Sequence, residues 1–266
     1  MRLSRSRTLQ AFVILLACFG VAGAPRGAFA ASPSPGDVYK RAIEKMSSLP
    51  RPAYIMTTQE WNSHIEPALG GNDDTTVRRE RVLLRLSDDM ECTLSEPVAR
   101  DSTAVIGRSL FAPDVWLRQS ASDLLKNVAA YDVRLAGTES RADGGVEYHL
   151  VLQPGGDPLA HSLRQLWIDG NTFKIDHAML VVNYSCREFL PTASPTQEDF
   201  QQIGSYWVAT HVRWNYAPPL RGYTLFVDTA AKTIAFPAYL PDWLFYGAVF
   251  GAHRSELPGA IEVAQP

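Results

Sequence analysis

The chain lacks the short motifs that announce common chemistries. There is no Gly-x-Ser-x-Gly, no Walker loop and no Gly-x-Gly-x-x-Gly, which removes the local signatures of α/β-hydrolases and of nucleotide-binding folds. Its six histidines, His64, His149, His161, His177, His211 and His253, include no i, i+4 pair with a nearby glutamate, so no helical zinc site is expected and the metal assignment is none. Adjacent acids such as Asp88 and Asp89, or Glu198 and Asp199, point apart in extended backbone and do not form a glycosidase dyad. No cofactor is expected. There is no internal repeat and no low-complexity segment.

Cysteine is scarce as well, with three in 266 residues. Cys18 falls in the N-terminal apolar stretch. Cys92 and Cys186 have no CxxC partner that would suggest redox chemistry. In an exported protein they form either the single disulfide that two cysteines allow or two free buried thiols.

Basic excess is also missing: 25 Lys and Arg stand against 28 Asp and Glu. Residues 1–30 hold four arginines and no acid, so removing them leaves 21 basic residues and a net charge near −7. Such a surface is wrong for the polyphosphate backbone, and no nucleic-acid partner is expected.

The N-terminus reads as an export signal. Arg2, Arg5 and Arg7 precede an apolar run from Leu9 to Ala24, and Ala28-Phe29-Ala30 supplies a small-x-small cleavage pattern before Ala31. The run is too short and too rich in Gly and Ala for a membrane anchor, so cleavage after Ala30 and no transmembrane span in the mature chain are expected. Leu15-Leu16-Ala17-Cys18 offers a second reading, a lipobox acylated at Cys18, which would leave the protein lipid-anchored instead of soluble.

The expected organisation is therefore a signal peptide over 1–30, a Ser/Pro/Gly linker over 31–36 and one domain over 37–266. Asp37 is read as the cap of an amphipathic helix to about Met46, with Val38, Ala42 and Met46 on one stripe. Strands are expected over Tyr54–Trp61, Val77–Leu86, Met90–Leu94, Tyr131–Leu135, Val146–Gln153, Tyr206–Tyr216 and Tyr223 to about Phe236. Arg79, Arg81 and Arg85 share one face of the second of these, read as a solvated sheet face.

A helix is read over Ser122–Ala130, loop-like sequence over 96–118, a Pro/Thr/Ser break over 191–196, and a short aromatic helix over Trp243–Phe250. Asp169-Gly170-Asn171 should close a hairpin, since Gly and Asn tolerate positive φ. The sum is an α+β domain on one large curved antiparallel sheet.

Strict alternation puts His177 on one strand face with Phe173, Ile175, Met179 and Val181. If that face lines a cavity, His177 and Met179 become ligand-binding candidates, with Trp214 on the Tyr206–Tyr216 strand as a third. The other reading of His177 is a hydrogen-bonded core histidine.

The stretch Leu166-Trp167-Ile168-Asp169-x-x-Thr172, preceded by Tyr148, Leu150 and Leu152 in a Tyr-x-Leu-x-Leu strand, resembles the central hairpins of the LolA-like outer-membrane lipoprotein carrier superfamily. The order of signal peptide, amphipathic helix and antiparallel strands is similar too. The resemblance implies an incomplete β-barrel whose concave apolar face is covered by helices and takes up acyl chains. It implies a periplasmic, non-enzymatic protein that binds or carries a lipid or lipidated protein. Alternatives are an envelope sensor or scaffold of the same fold that binds a protein partner, and an exported hydrolase assembled from scattered residues. The resemblance transfers no functional residue.

Overall fold

The computed structural model describes residues 33–67, 74–108, 128–156, 161–184, 192–217 and 222–263. The signal segment with Cys18, nearly all of the Ser122–Ala130 helix, and Cys186 lie outside the described residues.

The first element is α1 (Pro35–Ser48). Its cap is Ser34 and not Asp37: the Ser34 hydroxyl accepts from the Asp37 backbone N–H at 3.1 Å, while Pro35 occupies the first turn, where a missing N–H costs nothing. The spacing of Val38, Tyr39, Ala42, Ile43 and Met46 makes one apolar stripe, and all five are buried.

Eleven strands follow: β1 (Tyr54–Pro67), β2 (Asp74–Arg85), β3 (Met90–Ser95), β4 (Ala104–Arg108), β5 (Tyr131–Ser140), β6 (Val146–Pro154), β7 (Leu163–Asp169), β8 (Ile175–Tyr184), β9 (Thr192–Ile203), β10 (Tyr206–Tyr216) and β11 (Tyr223–Ala235). They form one open antiparallel sheet in the order β4-β3-β2-β1-β11-β10-β9-β8-β7-β6-β5. Each strand neighbours its sequence successor except that β4 and β5 form the two edges, and β11 returns to pair with β1, which joins two meanders into one sheet. Past β11 come a 3₁₀ turn (Asp242–Phe245), α2 (Gly247–His253), a second 3₁₀ turn (Arg254–Glu256) and α3 (Leu257–Val263). No described helix is long and apolar enough to cross a membrane.

Two strands escape the alternation rule. β9 covers the expected Pro/Thr/Ser break, although Pro195 cannot donate to a ladder and argues against a central strand. Its inward side chains are largely polar, with Ser194, Thr196 and Glu198 buried beside Phe200. β4 lies in sequence read as loop. The expected hairpin forms, but through different chemistry: the residue at positive φ is Phe173, at 58°. Gly170 is needed instead for close approach, since a Cβ there would meet the Val146 carbonyl oxygen at 2.8 Å. The Asp169 carboxylate closes the turn by accepting the Asn171 and Thr172 backbone N–H groups, each at 2.8 Å.

The two sheet faces are covered differently. The α1 stripe packs on Leu150, Leu152, Leu166, Ile168, Ala178 and Leu180, from β6, β7 and β8. Around the other end, the C-terminal residues Leu240, Leu244, Phe245, Phe250, Leu257 and Ile261 pack on Met56, Leu83, Cys92 and Leu94. The register places these two sets on opposite faces. On the α1 face Leu166, Ala178, Glu198, Val212, Thr229, Trp61 and Arg78 are successive cross-strand partners.

On the other face the corresponding row runs His149, Trp167, His177, Asp199, His211, Ala230, Glu60 and Arg79. Arg79 is exposed, as a solvated face requires, whereas Arg81 and Arg85 point to the side that the C-terminal segment covers. Arg85 is 6% exposed, and Arg81 donates to Glu96 at 2.7 Å.

Candidate functional site

A cavity of about 450 Å3 opens on the same sheet face as α1. Its wall runs from Val105 on β4 through β3, β2, β1 and β11 to Trp214 on β10. Those outer strands are five positions apart, about 24 Å in a flat sheet. That both line one cavity requires the sheet to curl towards this face, so the α1 face is concave.

The wall comes from every second residue of long strands: Thr57, Gln59 and Trp61 on β1, and Arg78, Glu80, Val82 and Leu84 on β2. Val212 and Trp214 complete it from β10. The apolar part is Trp61, Val82, Leu84, Val105, Val212 and Trp214. The polar part is threonines, Gln59, Glu91, Ser95 and one organised ion pair. Arg78 Nε donates to Glu80 Oε1 at 2.6 Å, and its guanidinium lies 3.8 Å from the centre of the Trp61 ring. Glu80 is 8% exposed and also accepts from Gln59 Nε2 at 3.3 Å, so its buried charge is paired and hydrogen-bonded. No described residue of the lining is a histidine or a cysteine.

The three sequence candidates part company here. Trp214 lines the cavity. His177 does not, because β8 carries a bulge: Trp167 pairs with His177 while Ile168 pairs with Ile175, which leaves Asp176 as an extra residue. Ile175 therefore points into the α1 core, where its backbone N–H approaches Met46 Sδ at 3.5 Å, and His177 and Met179 point to the convex side. Alternation read through the bulge merged two faces into one. Met179 contributes to a second, more open cavity of about 400 Å3 on the convex face, with Gln197, Arg213, Asp228, Asn62 and Phe226; Trp214 borders it too.

His177 sits in a polar row instead. Its Nδ1 lies 2.9 Å from Asp199 Oδ1, and this hydrogen bond to a carboxylate holds the imidazole above its usual range, against burial, which lowers it. Burial pushes the Asp199 carboxyl up, but His177, Arg213 and His211 together outweigh it and hold it below the ordinary carboxylate range. Glu198 and Asp199 do point to opposite faces, as extended backbone demands, from a strand and not a loop. His211 and Asp228, which sequence reading passed over, are recognisable only once the register is known.

Cys92 carries a free thiol, 0% exposed against the C-terminal segment, and burial pushes its pKa up to about 12. Its expected partner Cys186 lies outside the described residues. No group of three or more His, Cys, Asp or Glu that could hold a metal is found among the described residues.

No family model matches the chain, and no curated protein matches it. Solved structures do. A DUF1329 family protein from Desulfovibrio piger is 15% identical, covering 82% of this chain and 99% of its own, at a TM-score of 0.39. A LolA superfamily protein from Nitrosomonas europaea is 15% identical with the same coverages and a TM-score of 0.38. An outer membrane lipoprotein-sorting protein domain from Vibrio parahaemolyticus is 13% identical, covering 80% of this chain and 97% of its own, at a TM-score of 0.42. A solved structure of the LolA superfamily is thus among those similar to this chain.

Proposed function

We propose that the protein is exported to the periplasm and binds or carries a lipid, or the acyl part of a lipidated protein, in the concave cavity, without covalent chemistry. The observation that carries this reading is the cavity wall itself. Trp61, Val82, Leu84, Val212 and Trp214 form an apolar surface on the concave side, and Arg78, Glu80 and the threonines supply polar groups beside it. Its volume falls within the range of small-ligand sites, roughly 300–1,000 Å3. Each methylene buried there stabilises the complex by about 0.8 kcal/mol, so a few carbons suffice for measurable affinity. A polar rim beside an apolar wall suits an amphiphile.

The two tryptophans make the test direct. Phosphatidylglycerol brominated along its acyl chain, added in detergent below micelle formation, should quench Trp61 and Trp214 fluorescence saturably. Trp61→Phe with Trp214→Phe should remove the saturable part. Quenching that survives both substitutions, or never saturates, would refute acyl binding at this wall.

One observation favours a second reading, an envelope sensor or scaffold that binds a protein partner. The organised Arg78–Glu80 pair and the many threonines also suit a polypeptide segment, whose backbone needs hydrogen-bonding groups.

A further inference from the structure

The convex face carries a row of charged and aromatic side chains behind the cavity. His149, Trp167, His177, Asp199 and His211 are direct cross-strand partners on β6 to β10. The His149 ring stacks on Trp167 with centroids 4.3 Å apart, and Trp167 meets His177 edge-on at 6.2 Å. Asp199 then takes His177 Nδ1 on Oδ1 and His211 Nδ1 on Oδ2, both at 2.9 Å. His211 Nε2 lies 2.8 Å from Asp228 Oδ1 on β11.

His211 has a carboxylate oxygen within hydrogen-bond distance of each ring nitrogen. Ionised carboxylates only accept hydrogen bonds, and a neutral imidazole carries a single N–H. Both contacts hold together only when both ring nitrogens are protonated. On losing a proton, His211 keeps one link and turns a lone pair towards the other carboxylate at under 3 Å. Deprotonation therefore breaks a tie between strands and does not simply weaken it.

We infer that His177, Asp199, His211 and Asp228 form a proton-dependent clasp across β8 to β11 that pre-organises the curvature of the cavity on the opposite face. The inference rests on the cavity being the binding site. The coupling is by position. Thr210 and Val212 flank His211 on β10, and Thr229 follows Asp228 on β11; all three line the cavity. Two ties joining β10 to its neighbours on the convex side hold the cavity wall in one shape, and a wall already in its bound shape binds more tightly.

The charges facing the clasp are balanced around it. Asp199 also accepts from Arg213 Nη2 at 3.2 Å on β10. Glu147 and Asp176 act on His177 from β6 and β8. Further along the row Glu60 of β1 is paired with Lys232 of β11 at 3.5 Å. For His177, whose folded pKa is raised, the stabilising contribution is full below its unfolded value and is lost as pH rises through the folded one. The clasp is closed on the acid side and opens with alkalinity.

The test uses the mature protein labelled with fluorotryptophan, with ¹⁵N-histidine NMR reporting ring protonation and a fluorescent fatty acid reporting the cavity. Between about pH 5.5 and 8.5 the Trp214 fluorine signal should change together with the His177 ring, and fatty-acid affinity should fall by about threefold or more. His211→Gln should flatten both the Trp214 response and the affinity profile. Asp228→Asn, whose amide can donate to an unprotonated ring nitrogen as well as accept from a protonated one, should keep the tie at high pH and flatten the Trp214 response. A Trp214 signal that does not change with pH, or a response unchanged in His211→Gln, would overturn the clasp. If Trp214 follows His177 while no fatty acid binds at any pH, the clasp stands and the carrier reading falls.

Discussion

Arg85 shows how much a single side chain ties together. It donates to both Asp88 oxygens at 2.9 and 2.7 Å, to Asp242 at 2.6 Å and to the Tyr246 hydroxyl at 3.2 Å, with its guanidinium 4.7 Å from the Phe245 ring centre. The first pair closes the β2–β3 turn, and the others hold the C-terminal segment onto the sheet. Arg85→Ala should therefore cost about 1–3 kcal/mol and lower the melting temperature by on the order of 5 °C, measured by calorimetry. It should also expose the segment after Ala235 to limited proteolysis. Asp88, held below its usual range chiefly by the Arg85 hydrogen bond, makes the same tie sensitive to acid: its contribution is present above the unfolded carboxylate value and fades as pH falls through the folded one. Cys92 illustrates burial acting alone. A thiol that is fully covered and pushed up to about 12 offers almost no thiolate at neutral pH, so the Cys92 peptide should resist iodoacetamide in the folded protein and react on unfolding in urea. Rapid labelling of folded Cys92 would contradict the packing described.

Among the elements, those with regular periodicity were legible and those broken by a bulge or a buried polar face were not. The α1 stripe and the starts of β3, β6 and β10 follow from period alone. Ile43 is 2% exposed at the centre of that stripe, and Ile43→Ala should cost about 2–4 kcal/mol by leaving a hole under the helix, measured by chemical denaturation. A cost below 0.5 kcal/mol would mean that α1 does not pack as described. β9 was illegible because its inward positions are Ser194, Thr196 and Glu198 and because Pro195 interrupts it; nothing in that pattern says core. His177 was assigned the wrong companions because the extra residue Asp176 shifts the alternation by one, and a bulge leaves no signature in the composition of a strand. The C-terminal helices were only partly foreseen. The 3₁₀ turn, α2 and α3 replace one short helix, and their contacts with Met56, Leu83 and Cys92 are long-range.

At the scale of the whole molecule, the candidate site depends on connectivity that no local pattern contains. β11 pairs with β1, and that one closure brings Trp61 of the first meander beside Thr229 and Val212 of the second. Trp214 was visible in the sequence as a large apolar residue on a strand, whereas Trp61, Val82 and Leu84 gain their role only from the curled sheet that gathers β4 to β10 around one cavity. Native mass spectrometry with lipid extraction, on the protein purified from cells that express it and on an Ala231→Trp variant whose added ring fills the cavity, decides whether the cavity holds lipid. Wild-type protein should carry phospholipid or an acylated peptide, and Ala231→Trp protein should be folded by circular dichroism and carry none. A wild-type spectrum at the bare polypeptide mass that gains no lipid on titration would contradict lipid binding in this cavity.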